Sequence, residues 1–273
     1  MNSITRATSD TEIIILWLNG KSKTTVISYQ CHVKQFLEFV GKPLRDVTLD
    51  DLSLWVNRLN LTYQPVTVAN KILTVKSLFS FACRVGYLTV NVGSFIKSPK
   101  LKDTLAERIL DPSEVKRLIN AAPNERDSVL LSLMYGCGLR VSEVCGLNWS
   151  DLKNGKATVF GKGAKTRIVI IPPNLWDRLM KLPRDGEAVF MSRRGNRLER
   201  TYIHKMIKEC CHLSGVSEKA SSHWLRHSHA SHAVEAGCNL RLLQQSLGHS
   251  KLETTEKYLH INPDEGSSQF IDI

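Results

Sequence analysis

The chain has 273 residues, 42% of them hydrophobic and 23% charged, a composition that fits packed globular domains and a length that allows two of them. No apolar run approaches the ~20 residues of a membrane span, with Ile13 to Leu18 the longest candidate, and no signal-peptide pattern opens the chain. The expectation is a cytoplasmic protein, in the nucleoid if it binds DNA, with no membrane partner. Lys and Arg total 37 against 26 Asp and Glu, a net charge of +11, and both ends share the excess: 12 against 6 in residues 1–100, 25 against 20 beyond. A basic surplus that is no terminal tail is the footprint of a protein that grips phosphates along its length. Seven cysteines without framework spacing speak for reduced thiols.

Residues 1–95 read as all helix. Thr24 to Val40 puts Ile27, Val33, Phe36, Leu37 and Val40 on one face, and Gly41 stops it. Thr48 with Asp51 caps the next helix, which carries Leu52, Trp55, Val56 and Leu59. Pro65 opens a long helix through Val68, Ile72, Val75, Leu78, Phe79 and Ala82, ended by Gly86. Opposite the apolar faces stand Lys34, Asn70, Lys71, Lys76 and Arg84, expected to reach phosphates and base edges. A plain solvated face is the competing reading for each lysine. Little periodicity and Lys97, Pro99, Lys100 and Lys102 place a basic linker at 96–106.

The second domain, 107–273, opens on Asp111-Pro112-Ser113-Glu114, a helix start. A helix over Ser128 to Tyr135 leads to Gly136 and Gly138. Strand patterns follow at Lys156 to Phe160, Arg167 to Ile171 and Ala188 to Met191, the first two as a hairpin around Gly161 to Lys165. Helices resume near Thr201. Asn262-Pro263 then begins a tail in which Gly266-Ser267-Ser268 precedes Phe270, Ile271 and Ile273.

Five separated anchors in this domain carry chemistry. They are Gly138-Leu139-Arg140-Val141-Ser142-Glu143, Gly161-Lys162-Gly163, His223-Trp224-Leu225-Arg226-His227, Leu247-Gly248-His249, and Tyr258. From the last three, His223, Arg226, His249 and Tyr258 put two imidazoles, a guanidinium and a phenol within 36 residues. That set suits holding a phosphodiester while a tyrosine oxygen attacks its phosphorus. Guanidinium is planar, permanently charged and matched to bidentate phosphate contact, so Arg140 and Arg226 are candidates for the non-bridging oxygens. A surface ion pair with Glu143 is the plainer role for Arg140. His223 lies one helical turn before Arg226. His227, His229 and His232 could be joined with His223 as a zinc site, but with no acidic or cysteine partner at ligand separation these three read as packing and supporting contacts, and no metal or other cofactor is expected.

In residue type and order these anchors resemble the tyrosine recombinase (phage integrase) family, over roughly Asp10 to Asn262. The resemblance implies a mainly α fold with a small β-sheet: an N-terminal helical core-binding domain plus a C-terminal α+β catalytic domain. It implies that Arg140 and Arg226 are the two phosphate-binding arginines and that Lys162 protonates the departing 5′-oxygen. Lys165 and Arg167 are rivals in the same hairpin and further DNA-contact candidates. It makes His223 and His249 the phosphate-contacting imidazoles, with His223 also a candidate acceptor of the tyrosine proton. Tyr258 becomes the nucleophile, and Glu143 an orienting acid. Size suggests a simple two-domain, Xer-like recombinase, although Asn91-Val92 stands where many relatives end the first domain in Asn-Pro.

The implied reaction is metal- and ATP-independent cleavage and rejoining through a 3′-phosphotyrosyl link, in integration, excision or dimer resolution. The implied partners are double-stranded DNA with inverted-repeat core sites and further copies of the chain, as dimer and tetramer on DNA. An accessory protein or partner recombinase stays open. The apolar tail is expected to dock on a neighbouring copy. The alternatives are a DNA-binding protein of the same fold that no longer cuts and a histidine-based metal hydrolase.

Overall fold

A computed structural model of the protein describes residues 4–161, 166–249 and 251–259. Lys162, Lys165 and the tail beyond Leu259 lie outside the described residues. The chain divides into two compact units, Met1–Lys102 and Asp103–Ile273, and the division falls inside the 96–106 segment. The architecture is mainly helical with one small antiparallel sheet.

The first unit consists of α1 (Asp10–Leu18), α2 (Lys23–Val40), α3 (Leu49–Thr62) and α4 (Pro65–Arg84). Local chemistry sets their ends. Ser9 and Glu12 form a capping box on α1, Ser22 caps α2, and Thr48 with Asp51 forms a capping box on α3. Gly41 ends α2 at φ 63, a left-handed conformation that costs glycine little. The apolar faces meet around Phe36, whose ring sits edge-on to Trp55 at 4.9 Å and to Phe79 at 6.1 Å. Helix α4 is the centre of this core, burying Val68, Ile72, Val75, Leu78, Phe79 and Ala82. Its 20 residues are long and apolar enough, by length and composition, to cross a membrane, contrary to the expectation that no segment was. Burial against α1, α2 and α3 accounts for that apolarity.

Two lysines expected on the open face of α4 are committed to this unit instead. Lys71 is buried, donates to Gln35 Oε1 and lies 4.5 Å from the centre of the Tyr63 ring. Lys76 donates to the Ile96 carbonyl at 2.7 Å. Both positions fall where α4 turns from exposed to core, so their stems pack and their charges find protein partners. Lys34, Asn70 and Arg84 are exposed.

The second unit holds α5 (Pro112–Asn120), α6 (Glu125–Gly136), α7 (Val141–Gly146), the sheet, α8 (Pro173–Met180), α9 (Arg200–Ser214), α10 (Ser222–Glu235), α11 (Leu240–Leu247) and α12 (Glu253–Glu256). Asp111 and Glu114 cap α5 as expected. Helix α6 begins three residues before the expected Ser128, because Asn124 caps it by accepting from the Asp127 amide. The core gathers Val129, Leu130, Leu133 and Met134 of α6, Ile203, Met206 and Ile207 of α9, and Leu225 of α10.

Strands β1 (Leu152–Lys153), β2 (Lys156–Phe160) and β3 (Thr166–Ile170) pair antiparallel in that order, with Ala157 opposite Val169. The strand expected at Ala188 to Met191 is absent from the sheet: the segment makes only the single bridges Asn148 to Ala188 and Met191 to Arg197. Val189 and Phe190 are buried, and their backbone bonds go to Leu147 and Leu198. Core burial, not ladder pairing, explains the apolar run. The third strand is β1, turned into β2 by Asn154 (φ 50) and Gly155 (φ 71), the two positive-φ residues of a tight hairpin.

Candidate active site

Helix α10 supplies His223, Arg226 and His227 from successive turns, and Ser228 fixes the helix by accepting from the Leu110 amide at 2.8 Å. Arg226 is buried and fully directed. Nη1 donates to the Gly138 carbonyl at 2.5 Å and Nη2 to the Leu247 carbonyl at 2.6 Å. Gly138 (φ 60) has no room for a side chain, since a Cβ there would meet His229 Cδ2 at 2.6 Å and Leu247 Cδ2 at 2.8 Å. The glycine therefore lets the loop before α7 press against α10 and α11 and present its carbonyl to Arg226.

Arg140 stands at the N-cap of α7, and Glu143 reaches back to its amide at 2.8 Å. The same carboxylate accepts from Arg140 Nη1 at 2.9 Å and takes a forked contact from Arg167 of β3 at 2.8 and 2.9 Å. Arg167 also donates from Nε to the Ser246 carbonyl at 2.6 Å. All three nitrogens of that guanidinium are thus engaged inside the domain, and its expected roles as DNA contact or general acid give way to a scaffold role. Arg140 keeps the most open side chain of the set, 29% exposed against 11% for Arg167 and 2% for Glu143.

Helix α11 closes the cluster. Its last carbonyls, Ser246 and Leu247, face Arg167 and Arg226, and Arg140 Nη1 approaches Leu247 at 3.4 Å. The negative end of the helix thereby helps offset three neighbouring guanidiniums, two of which, Arg140 and Arg167, share the Glu143 carboxylate. Gly248 (φ 64) ends α11 and the His249 amide turns back onto the Gln244 carbonyl. That turn aims His249 into the cluster, and Thr255 Oγ1 pairs with its Nδ1 at 2.9 Å.

Tyr258 follows α12 and packs with Ala230, Leu243 and Leu247. Its hydroxyl lies 2.8 Å from Nδ1 of His227, a residue expected to make packing and supporting contacts. His229 and His232 serve elsewhere: His229 fills the space at Gly138, and His232 pairs with the Tyr135 hydroxyl at 2.9 Å. Among the described residues, no group of three or more His, Cys, Asp or Glu is placed to hold a metal ion.

Electrostatics follow from burial and crowding. Burial, then Arg140 and Arg167, pull Arg226 down to about 10 although Glu143 opposes them. Burial and the neighbouring cations push His249 and His227 down to about 4 each, so both imidazoles are neutral near pH 7. His223 is exposed as a residue, yet partial burial of its ring, then Arg226, Arg140 and Arg108, lower its pKa as well. Burial raises the Tyr258 phenol above its ordinary 10.0, and Arg226 and Arg140 only partly counter it. Burial would raise Glu143, but the Arg167 bond, the Arg140 amide, the Arg167 charge and the Arg140 side-chain bond outweigh it and hold the carboxyl below 4.5. The result is a positive hollow lined by neutral imidazoles, with a protonated phenol at its edge.

Residues 108–265 match the model of the phage integrase family, and residues 14–86 match that of the phage integrase N-terminal SAM-like domain. The tyrosine recombinase XerC of Thermodesulfovibrio yellowstonii is 31% identical over 264 residues, covering 89% of this chain and 87% of that one. A lambda integrase (75–356) dimer bound to a COC′ core site superposes with TM-score 0.79 at 22% identity, covering 97% of each chain. A lambda integrase tetramer bound to a Holliday junction superposes with TM-score 0.76 at 21% identity, covering 89% of this chain and 76% of that one.

Proposed function

The chain belongs to the tyrosine recombinase (phage integrase) family and is a site-specific DNA recombinase, and on that premise we propose how its side chains divide the reaction. Tyr258 Oη attacks a DNA phosphorus and leaves a 3′-phosphotyrosyl link. Arg226 and Arg140 bind the two non-bridging oxygens. His249 and His223 donate further hydrogen bonds to the phosphate, His249 from Nε2, because Thr255 engages Nδ1. Lys162 protonates the departing 5′-oxygen. Glu143, with Arg167, sets the direction of Arg140 without touching DNA.

One observation carries this reading: the convergence of Arg140, Arg226, His249 and Tyr258 around the end of α11, with more positive charge than one carboxylate balances. Guanidiniums held in place before substrate arrives cost little reorganisation when charge develops on phosphorus. The cluster supplies the charge a metal ion would otherwise supply. Energy stored in the phosphotyrosine makes rejoining possible without ATP.

DNA core sites are the substrate, and dimers and tetramers on DNA are the working assemblies. Inverted-repeat half-sites, a nucleoid location and an accessory protein or partner recombinase belong to the same proposal. Lys34, Asn70 and Arg84, exposed on the first unit, are its DNA-contact residues. The test is a nicked suicide duplex incubated with the full chain in EDTA and run on a denaturing gel. A covalent adduct that maps to Tyr258 is expected. Strict dependence on a divalent metal overturns the charge assignment. For Lys162→Ala, cleavage should recover on a duplex whose 5′-bridging oxygen is sulfur, because a thiolate leaves without a proton. Equal defects on both duplexes remove Lys162 from the role.

A further inference from the structure

His227 is the one hydrogen-bond partner of the Tyr258 hydroxyl among the described residues, Nδ1 to Oη at 2.8 Å. His223, one turn earlier on α10, is exposed and makes no bond to the phenol. His249 turns its Nδ1 to Thr255. Of the three imidazoles in the hollow, only His227 is therefore already at the reacting atom. We propose that His227 holds the nucleophilic hydroxyl and receives its proton as the tyrosine attacks. This rests on Tyr258 being the nucleophile.

The geometry requires the tautomer with the ring proton on Nε2, so that Nδ1 accepts and the phenol donates. In cleavage, Oη forms a bond to phosphorus and its proton passes to Nδ1. The bond from phosphorus to the 5′-oxygen breaks, and that oxygen takes a proton from Lys162. In rejoining, the 5′-hydroxyl attacks the phosphotyrosine and gives its proton back to the lysine. Nδ1 then returns the first proton to the phenol oxygen. Atoms and charges balance in both directions.

The surroundings explain why the proton stays put at rest. His223 and Arg226 on α10 and Arg108 on the turn at 106–108 face His227, while Arg140 and Arg226 face Tyr258. Burial, His223 and the two arginines hold the imidazole neutral, so that Nδ1 can accept from the phenol. The phenol sits above its ordinary pKa, so transfer runs uphill until Oη bonds to phosphorus and loses its basicity. A phosphodiester anion among the arginines offsets the field that depresses His227.

The test uses single-turnover cleavage of the nicked duplex by the full chain. His227→Asn and His227→Gln keep a polar side chain without an imidazole's basicity, and whichever binds DNA with wild-type affinity is scored. The expected loss in adduct formation is about 10²–10⁴-fold, the range of general-base assistance. The defect should shrink at least about tenfold when 3,5-difluorotyrosine is incorporated at position 258, because a more acidic phenol needs less help. His223→Asn should show no such shrinkage. Rates within about twofold of wild type, or the same defect with both phenols, overturn the role of His227. An adduct that survives Tyr258→Phe overturns the nucleophile assignment instead, so the two failures are told apart.

Discussion

In the first unit the buried cation Lys71 meets a neutral amide and an aromatic face, whereas in the second unit Arg140, Arg167 and Arg226 crowd around one carboxylate and the end of a helix. An ammonium on a flexible stem can be tucked away singly, and its charge then serves packing. Three planar guanidiniums held by fixed acceptors are a different object. Arg167 is spent on Glu143, while Arg140 and Arg226 are pinned at their edges beside a hollow. Excess positive charge in a partly buried place is unfavourable until an anion arrives. The contrast separates charge used to build the fold from charge kept for a phosphate.

The sharpest break of that contrast is Tyr258→Phe. The ring keeps its packing against Leu243 and Leu247 and only the oxygen is lost. DNA affinity should stay at the wild-type level while the covalent adduct vanishes from a denaturing gel. Adduct in the variant would mean that the hollow serves another nucleophile.

Next in size come Arg226→Lys and Arg140→Lys. A lysine cannot span two acceptors as a guanidinium does. Each should lower single-turnover cleavage by about 10²–10³-fold, the worth of one transition-state donor. Binding should change far less, because the other phosphate contacts remain. Arg226→Lys should also lower stability, by about 1–3 kcal/mol, since the buried Gly138 and Leu247 carbonyls lose a donor. Thermal melts of both variants check this: a stability loss in Arg140→Lys as large as in Arg226→Lys would erase the distinction drawn from their burial.

Much of this hollow is legible in the sequence, and the failures have physical causes. Caps and first-position prolines announce α3, α4 and α5 because their chemistry is local. The Asn154-Gly155 hairpin was equally local and readable, but β1 is two residues long and has no strand pattern of its own. Val189 and Phe190 looked like a strand because burial and pairing favour the same side chains. The inward turn of Arg167 depends on Glu143, 24 residues away, and on the Ser246 carbonyl, 79 away. No pattern within β3 encodes either partner. The contact of His227 with Tyr258 spans 31 residues and becomes visible only once α10 and the segment after α12 are packed together.

Glu143→Gln should cost less than the catalytic changes but register clearly in stability. It removes the carboxylate that both Arg140 and Arg167 contact, and the expected loss is about 3 kcal/mol, since glutamine keeps one acceptor and Arg140 stays partly solvated. The pH dependence follows from the lowered carboxyl. Its ionised form contributes stability that is present above the unfolded value and lost as pH falls through the folded one. Wild-type melting temperature should therefore drop more steeply between about pH 5 and pH 3 than that of Glu143→Gln. Parallel curves would show that the carboxylate is not what holds the two arginines.

Lys71→Met probes the other side of the contrast and should do least. Burial lowers the lysine's pKa, with Cys31 opposing, so the charge is held against a desolvation cost. Methionine keeps most of the stem's packing and removes that cost. Gln35, its acceptor, is exposed and can turn to water. The net change in stability should stay within about 1 kcal/mol. DNA affinity and its salt dependence should match wild type, whereas Arg84→Ala or Lys34→Ala, each on an exposed side chain, should weaken binding and reduce the salt slope by about 1 if it meets a phosphate. A lower salt slope in Lys71→Met would place its ammonium on DNA after all, and would mean that α4 opens this face when the duplex binds.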